Sequence, residues 1–185
     1  MSARRTFLLV DGENIDATLG SSVLGRRPEP DERPRWDRVR SYAEELWDQP
    51  VTALFFLNAS SGQLPVAFVQ ALVTLDFRPV PLAGKQDEKV VDLGIIRTLE
   101  ALKDLDGDVL LCSHDGDFAD SIAPLIGGSR RLGLLGFREF MSSQLRALDL
   151  DVHDLEDDVH AFRTRLPRLR IIPVDEFDPM VFLRD

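Results

Sequence analysis

The chain has 185 residues, 44% of them hydrophobic and 29% charged, a balance typical of a globular domain rather than of a disordered chain. Its net charge of −10 argues against a protein that coats nucleic acid non-specifically, because phosphate groups would be repelled over most of the surface. With one cysteine, no signal peptide and no apolar run of the roughly 18–20 residues that span a bilayer, the sequence predicts one cytoplasmic domain with a C-terminal tail and no membrane contact.

Five short apolar runs predict β-strands, at residues 6–10, 51–57, 77–82, 108–112 and 131–137. They are hydrophobic on both sides, which is typical of strands covered on both faces. Apolar side chains at steps of three and four residues predict helices between them, at residues 35–47, 64–75, 90–105 and 118–126. The helix at 64–75 is apolar enough to be well buried. Alternating strands and helices predict an α/β fold with a mostly parallel sheet sandwiched between helices.

Two segments outside these elements have a distinct composition. Residues 20–34 contain three prolines and two glycines, which predicts an exposed loop. Residues 149–158 are strongly acidic and predict a solvated linker, since the spacing of the flanking His153 and His160 fits no compact zinc site. We expect a domain at residues 1–155 and a C-terminal extension at residues 156–185 that packs on the domain or on a partner subunit.

Four arginines follow the acidic segment. They are Arg163, Arg165, Arg168 and Arg170. They either line a path for RNA or pair with the preceding acids, and the sequence favours neither interpretation. The sequence contains no glycine-rich phosphate loop, no G-x-S-x-G motif and no Cys–His pair, so we expect no small-molecule organic cofactor.

Acidic side chains follow two of the predicted strands and open one of the helices. Asp11 follows the first strand, Asp115 and Asp117 follow the fourth, and Asp92 begins the helix at 90–105. Each alone is typical of a turn or a helix cap. Because parallel strands present their carboxyl ends at one edge of the sheet, we expect the four carboxylates to lie together, where a cation would offset their repulsion. Oxygen ligands favour Mg²⁺ or Mn²⁺, and such a site suits phosphodiester hydrolysis.

The motifs "LLVDGENID", "KVVDLGIIRTLEAL", "VLLCSHDGDFADSIAPLI" and "GLLGF" occur in this order over about residues 6–155. Their combination resembles the NYN domain family, the LabA-like branch of the PIN-like nucleases. The resemblance implies a three-layer α/β/α sandwich and a ribonuclease that depends on Mg²⁺ or Mn²⁺. It assigns the metal to Asp11, Asp92 and Asp115, and it gives Asp117 the role of completing the site or orienting the attacking water.

The resemblance also implies residues that contact the substrate. Asn14, Ser113 and Lys89 would position phosphate and carboxylates, and we add Arg163 and Arg165 as candidates for RNA contact. RNA is the expected partner, and a homodimer is left open because a strongly acidic protein would need a narrow basic track, completed by a second subunit, to hold RNA.

Other interpretations remain open. A binding or regulatory module could retain the fold and the acidic pocket without catalysis. A phosphatase of the haloacid-dehalogenase type also has an aspartate after its first strand, but it needs a second aspartate two residues later, where this chain has Glu13. His114 stands where the NYN family usually has a small or amide residue, and we expect a loop histidine with satisfied hydrogen bonds.

Overall fold

A computed structural model of the chain describes residues 4–167 and 171–183, so two of the four arginines, Arg168 and Arg170, lie outside the described residues. The described chain forms a six-stranded sheet with the order β3-β2-β1-β4-β5-β6. Every pair of neighbouring strands is parallel. The strands are β1 Thr6–Asp11, β2 Val51–Asn58, β3 Phe77–Leu82, β4 Asp108–Cys112, β5 Leu132–Gly136 and β6 Asp151–Asp154.

Helices lie between the strands and cover both faces of the sheet, and one further short helix follows the last strand. They are α1 Gly12–Thr18, α2 Trp36–Trp47, α3 Val66–Thr74, α4 Val90–Ala101, α5 Ala119–Ile122, α6 Ser143–Arg146 and α7 Met180–Leu183. The architecture is therefore the predicted α/β fold, a three-layer α/β/α sandwich with a parallel central sheet. Within the described residues, no helix has the length and apolar character needed to cross a membrane.

Alternation along the central strands divides the core into two layers. Leu8 and Val10 of β1 pack with α1 and α2 on one face, whereas Leu9 packs with α4 and α5 on the other. Successive strand side chains point to opposite faces, so a central strand covered on both sides is apolar along its middle, and in β1 the buried polar residues Thr6 and Asp11 lie at the two ends. Each fully buried leucine or valine contributes about 1.5–3 kcal/mol, and this burial fixes the register of β1 between β2 and β4.

At the amino ends of the strands, a buried carboxylate connects several segments of the chain. Asp108, the first residue of β4, accepts hydrogen bonds from Arg4 Nη2 at 2.7 Å, from Arg131 Nε at 2.8 Å and from Gln49 Nε2 at 2.9 Å. Burial alone would raise the pKa of Asp108, but these donors outweigh burial and hold the pKa below its usual range. The network joins the segment before β1, the end of α2 and the start of β5 to one point.

Residues 20–34 are not the exposed loop that their composition predicts. The first part lies in a π-helical turn, Leu19–Leu24, in which Leu19 and Val23 are fully buried. Their four-residue spacing puts both side chains on the core side of the turn. Gly25, with φ of 69°, ends the turn in the left-handed region that suits glycine. Gly20 and Gly25 therefore lie within and at the end of a packed turn, the three prolines follow it, and the exposed stretch is shorter than predicted.

Helix α3 is present where predicted, but it is not well buried. Within α3, all of which the structure describes, Leu72 alone is buried, and Val66 and Val73 are 62% and 58% exposed. The reason lies in the strand order: α3 leads into β3, which is the edge strand of the sheet. At an edge no further strand or helix extends the sheet beneath the outer side of α3, so an apolar composition does not ensure burial.

The acidic stretch at residues 149–158 is not a solvated linker, because part of it forms strand β6. Asp154, which is 1% exposed, accepts hydrogen bonds from the backbone N–H groups of Arg138, Glu156 and Asp157 at 2.8–2.9 Å. A buried carboxylate is tolerated here because three backbone donors replace its hydration shell. The acidic composition therefore led to a wrong prediction for a short edge strand and the turn that follows it.

The chain after residue 155 continues into the core of the domain. Val159, Ala161 and Leu166 are buried with side chains of the α1 and α2 layer, and the backbone N–H of Arg35 donates to the carbonyl of Ala161 at 2.7 Å. This part of the expected C-terminal extension packs on the domain. The division at residue 155 itself stays a prediction.

Candidate functional site

The site lies where the chain changes direction in the sheet. From β1 the chain proceeds to β2 on one side, and from β4 it proceeds to β5 on the other, while β1 and β4 are direct neighbours. In doubly wound sheets, ligands bind in the crevice outside the carboxyl ends of such a strand pair. Asp11 is the last residue of β1, and Asp115 lies three residues after the end of β4. The strand order therefore brings both aspartates to this crevice.

A cavity of about 400 Å³ opens at this position. Most of the predicted site residues line it, namely Asp11, Asn14, Lys89, Asp92 and Asp115, together with three further acids, Glu13, Asp87 and Glu88. Asn58, the last residue of β2, also lines it and was not predicted. The rule that identified Asp11, a polar residue at the carboxyl end of a strand, applies equally to Asn58 and could have found it.

Asp11 is the most buried acid of the cavity, with 2% of its surface exposed. Its Oδ2 accepts a hydrogen bond from Ser113 Oγ at 2.9 Å, and its Oδ1 accepts one from the backbone N–H of Asn14 at 3.4 Å, which caps α1. The pKa of Asp11 is raised to about 6: burial is the largest cause, the two hydrogen bonds oppose it, and the nearby charges of Asp92 and Asp115 add to it. The buried position that fixes the Asp11 carboxyl group therefore also makes its ionisation less favourable.

Three other carboxylates form a closer group. Oxygen atoms of Asp92, Asp115 and Asp117 all lie within 4.8 Å of one another. The backbone N–H of Asp117 donates to Asp115 Oδ1 at 2.9 Å, which fixes the turn that holds both acids. Burial and then the charge of Asp115 raise the pKa of Asp92, and Lys89 partly opposes them. Mutual repulsion is therefore present at the site, as expected for a group that a cation stabilises.

Lys89 supplies a positive charge to this group. Its ammonium nitrogen lies 3.4 Å from Asp117 Oδ2 and 3.7 Å from Asp92 Oδ2. The hydrogen bond to Asp117 is the main reason that the pKa of Lys89 is raised, and the charges of the three acids add to it. The Lys89 side chain is 70% exposed, so solvent screens these contacts and the ammonium can leave the acids at little cost.

The donor set suits a hard divalent cation. Oxygens that ligate one Mg²⁺ at 2.0–2.1 Å lie at most about 4.2 Å apart, so small side-chain rotations would bring the group around one ion. Among the described residues, the close group contains Asp117 as well as Asp92 and Asp115, and Asp11 lies beside it rather than within it. Asp117 was predicted to complete the site or to orient the attacking water.

Ser113 and His114 connect β4 to the acids. Ser113 is fully buried, donates to Asp11, and accepts a hydrogen bond from the backbone N–H of Asp115 at 3.2 Å. Its contacts therefore position two carboxylates. His114 is 5% exposed and hydrogen-bonded through both ring nitrogens, as expected. Burial lowers the pKa of His114 to about 4.

The structure does not bring Arg163 and Arg165 to the acids. They line a second cavity of about 1260 Å³ beside β6, and the described residues around it include none that line the acidic cavity. Acids also line this second cavity, among them Asp157 and Asp158, and Arg138 there pairs with Asp158 at 2.7 Å. The local charge is mixed, so this groove lacks the positive excess of a nucleic-acid path.

Comparison with known proteins gives a fold and no family. No family model matches the chain, and no curated protein matches it. Among solved structures the chain is similar to a protein of unknown function from Vibrio parahaemolyticus, at 19% identity and a TM-score of 0.65, over 86% of this chain and 99% of that chain. At this identity the similarity establishes the shared α/β/α architecture alone.

Proposed function

We propose that the protein is a divalent-metal-dependent endoribonuclease that resembles the NYN nucleases. One observation supports this proposal above all: Asp11, Asp92 and Asp115, which come from separate parts of the chain, line one open cavity at the switch point of a parallel sheet. A fold that needed these acids only as turns and caps would have no reason to gather them where their charges repel. Acids that converge in one cavity are typical of functional sites when some of them have raised pKa values, as Asp11 and Asp92 do here.

The ion would be Mg²⁺ or Mn²⁺, held by Asp92 and Asp115 with Asp117 or Asp11. Bound there, it would polarise a phosphoryl oxygen and lower the pKa of a water molecule. The chain's own groups have separate tasks. Ser113 holds Asp11 and the Asp115 loop in place. Lys89, released when the ion neutralises the acids, is the cation next to the cavity that can pair with a phosphate.

RNA as the substrate rests on the resemblance of the motifs to the NYN family. The proposal includes the cytoplasm as the location, no organic cofactor, and a homodimer as the form in which a chain of net charge −10 would meet RNA. Binding of a polyanion to such a chain needs local neutralisation, which the metal and Lys89 would supply. Light scattering on the purified protein measures the oligomeric state directly.

A second candidate function is a binding module without catalysis. The observation that favours it is the position of Lys89, whose ammonium already lies between Asp92 and Asp117. An internal cation of this kind can stabilise an acidic pocket permanently, in which case no metal is needed. The two candidates differ in a measurable way, because only the nuclease loses its activity when divalent metal is removed.

Cleavage of labelled single-stranded and hairpin RNA tests the proposal. We expect the wild type to cleave with Mn²⁺ or Mg²⁺ and not with EDTA, and we expect Asp11→Asn and Asp115→Asn to remain folded and inactive. The matched control is Asp104→Asn, which removes an exposed carboxylate just after the C-terminal end of α4 and should cleave like the wild type. RNA that stays intact with every metal, while still binding equally to all variants, would reject the nuclease and favour the module.

A further inference from the structure

Besides the hydrogen bond that its carbonyl accepts from the Ser142 N–H, His114 makes three hydrogen bonds that connect the ends of β4 and β5 with α1. Its Nε2 accepts from the backbone N–H of Phe137, directly after β5, at 2.7 Å. Its Nδ1 lies 2.9 Å from Asn14 Oδ1 in α1, and its backbone N–H donates to the same oxygen at 2.8 Å. The ring also stacks on Phe137 with an interplanar angle of 4°. The imidazole is therefore fixed between β5 and α1.

These partners determine which ring nitrogen holds the proton. A backbone N–H can only donate, so Nε2 must present a lone pair to Phe137 and cannot itself be protonated. The neutral ring then has its hydrogen on Nδ1, which donates to Asn14 Oδ1. His114 is thus neutral, with a donor and an acceptor at defined positions and a partner for each.

The same contacts determine the orientation of the Asn14 side chain. Both groups that approach its amide at this end are donors, so the atom that faces them is the carbonyl oxygen, and the amide nitrogen is turned the other way. Asn14 lines the acidic cavity, and among the described residues its Nδ2 has no hydrogen-bond partner in the protein. Asn14 Nδ2 is therefore the end of the amide that faces the acidic cavity.

We propose that His114 is a positioning residue, which fixes the Asn14 amide so that its two N–H groups face the acidic cavity and can bind an anionic oxygen. The identification of this anion as a phosphate oxygen of RNA rests on the proposed function, whereas the orientation of the amide does not depend on it. With His114 in place, the Asn14 amide could turn its oxygen toward the cavity only by breaking the two hydrogen bonds that Oδ1 accepts. His114 thereby keeps a neutral donor among acids, where a substrate phosphate needs one.

The end of β5 is shaped for this arrangement. A Cβ atom added to Gly136 would lie 2.7 Å from His114 Nε2, so only glycine leaves room for the ring at this position. The backbone of β5 thus approaches the imidazole closely and supplies the Phe137 N–H from the next residue. Gly136 leaves space for the His114 ring, and the ring in turn orients the side chain of Asn14.

Two isosteric variants separate the two ring nitrogens. In His114→Asn the amide nitrogen replaces Nδ1 and can still donate to Asn14, but no acceptor remains for Phe137. In His114→Gln the amide oxygen replaces Nε2 and can accept from Phe137, but no side-chain donor remains for Asn14, whose Oδ1 keeps only the backbone N–H of residue 114. A purely structural histidine predicts similar kinetics for both variants, whereas positioning predicts a loss in His114→Gln alone.

The closing experiment combines nitrogen NMR with kinetics on the full-length protein. In ¹⁵N spectra we expect the tautomer of His114 with hydrogen on Nδ1, and a slowly exchanging Asn14 side-chain amide that exchanges faster in His114→Gln. In RNA cleavage we expect kcat/KM to fall about 3- to 10-fold in His114→Gln, as for one lost hydrogen bond, and to stay within about 2-fold in His114→Asn. In an Asn14→Ala background, His114→Gln should cause no further loss.

Several outcomes would overturn the inference. They are a proton on Nε2, unchanged Asn14 amide exchange in His114→Gln, or equal kinetic losses from His114→Gln with and without Asn14. If the wild type cleaves no RNA, the proposed function fails, and the tautomer and amide exchange still decide the positioning role by themselves. The two failures are therefore distinguishable.

Discussion

At the scale of single residues, Asp11 determines more of the site than its position in the sequence suggests. It ends β1, caps α1 through the Asn14 N–H, and accepts from Ser113 across the neighbouring strand. The sequence placed Asp11 at the active edge because strand ends converge there. It gave no sign that Asp11 would be nearly inaccessible to solvent, because burial depends on the loops that cover the strand end.

The raised pKa of Asp11 predicts that Asp11→Asn is more stable than the wild type. A rise from 3.8 to about 6 corresponds to roughly 3 kcal/mol at pH 7, of which we expect about 1–2 kcal/mol to remain, since an amide accepts less strongly than a carboxylate. In the wild type, Asp11 costs no stability below its unfolded pKa of 3.8, where it is protonated. The free energy of unfolding then falls as pH rises from 3.8 through about 6, because ionisation is less favourable in the folded protein. Urea unfolding in EDTA at pH 4, 5.5 and 7 measures the effect.

The difference in unfolding free energy between Asp11→Asn and the wild type should grow from pH 4 to pH 7. Asp104→Asn serves as the control, because its exposed carboxylate should leave stability unchanged at all three values. A difference in unfolding free energy that stays constant across this range, or a variant less stable than the wild type at pH 7, would show that ionisation of Asp11 does not destabilise the folded protein.

At the scale of elements, the strand and helix patterns predicted most of the fold. Five strands and four helices occur where apolar spacing placed them. Strand β6 and the burial of α3 were mispredicted for related reasons. Both belong to the edges of the sheet, where burial is decided by which strands are neighbours, and local composition does not contain that information. In β6, three backbone donors compensate Asp154, a contact invisible in the sequence.

The buried network at the amino edge of the sheet predicts that Asp108→Asn destabilises the protein. The change leaves Arg4 and Arg131 without their carboxylate, and we expect a loss of about 2–3 kcal/mol at pH 7, since both arginines keep some contact with solvent. Because the pKa of Asp108 is lowered, its contribution is fully present above the unfolded pKa of 3.8 and is lost progressively as pH falls from there through the lowered folded pKa.

Chemical unfolding of Asp108→Asn between pH 7 and pH 3 checks this prediction. Asp106→Asn is the matched control: its side chain is 82% exposed and lies 3.7 Å from Arg4, so we expect less than about 0.5 kcal/mol from its loss. If the wild type and Asp108→Asn differ as much at pH 3 as at pH 7, the network does not act through an ionised carboxylate.

At the scale of the whole molecule, charge is the dominant constraint. The chain has a net charge of −10, and the described arginines of the C-terminal segment lie in a cavity of mixed charge away from the acidic site. The sequence left open whether those arginines bind RNA or pair with acids, because their partners depend on how residues 156–166 pack. A bound cation would relieve the acidic site and the global repulsion together.

Divalent metal should therefore stabilise the folded protein. A ligand at 100 times its Kd that binds only the folded state adds about 2.7 kcal/mol, which for a chain of this size raises Tm by roughly 5–10 °C. We expect Mn²⁺ to raise Tm in the wild type and in Asp104→Asn, and to have a much smaller effect in Asp92→Asn and Asp115→Asn. Differential scanning fluorimetry with Mn²⁺, Mg²⁺ and EDTA measures it; equal shifts in all four proteins would mean that the metal binds elsewhere.

The central claim is that a metal held by these acids acts on an RNA phosphate, and phosphorothioate RNA tests it most directly. Sulfur in place of a non-bridging phosphate oxygen weakens contact with Mg²⁺, a hard ion, whereas Mn²⁺ tolerates it better. We predict that the wild type cleaves the sulfur-containing RNA poorly in Mg²⁺, that Mn²⁺ restores cleavage, and that Asp115→Asn cleaves under neither condition. Cleavage that persists in EDTA, or RNA that remains intact with both metals, would contradict the account.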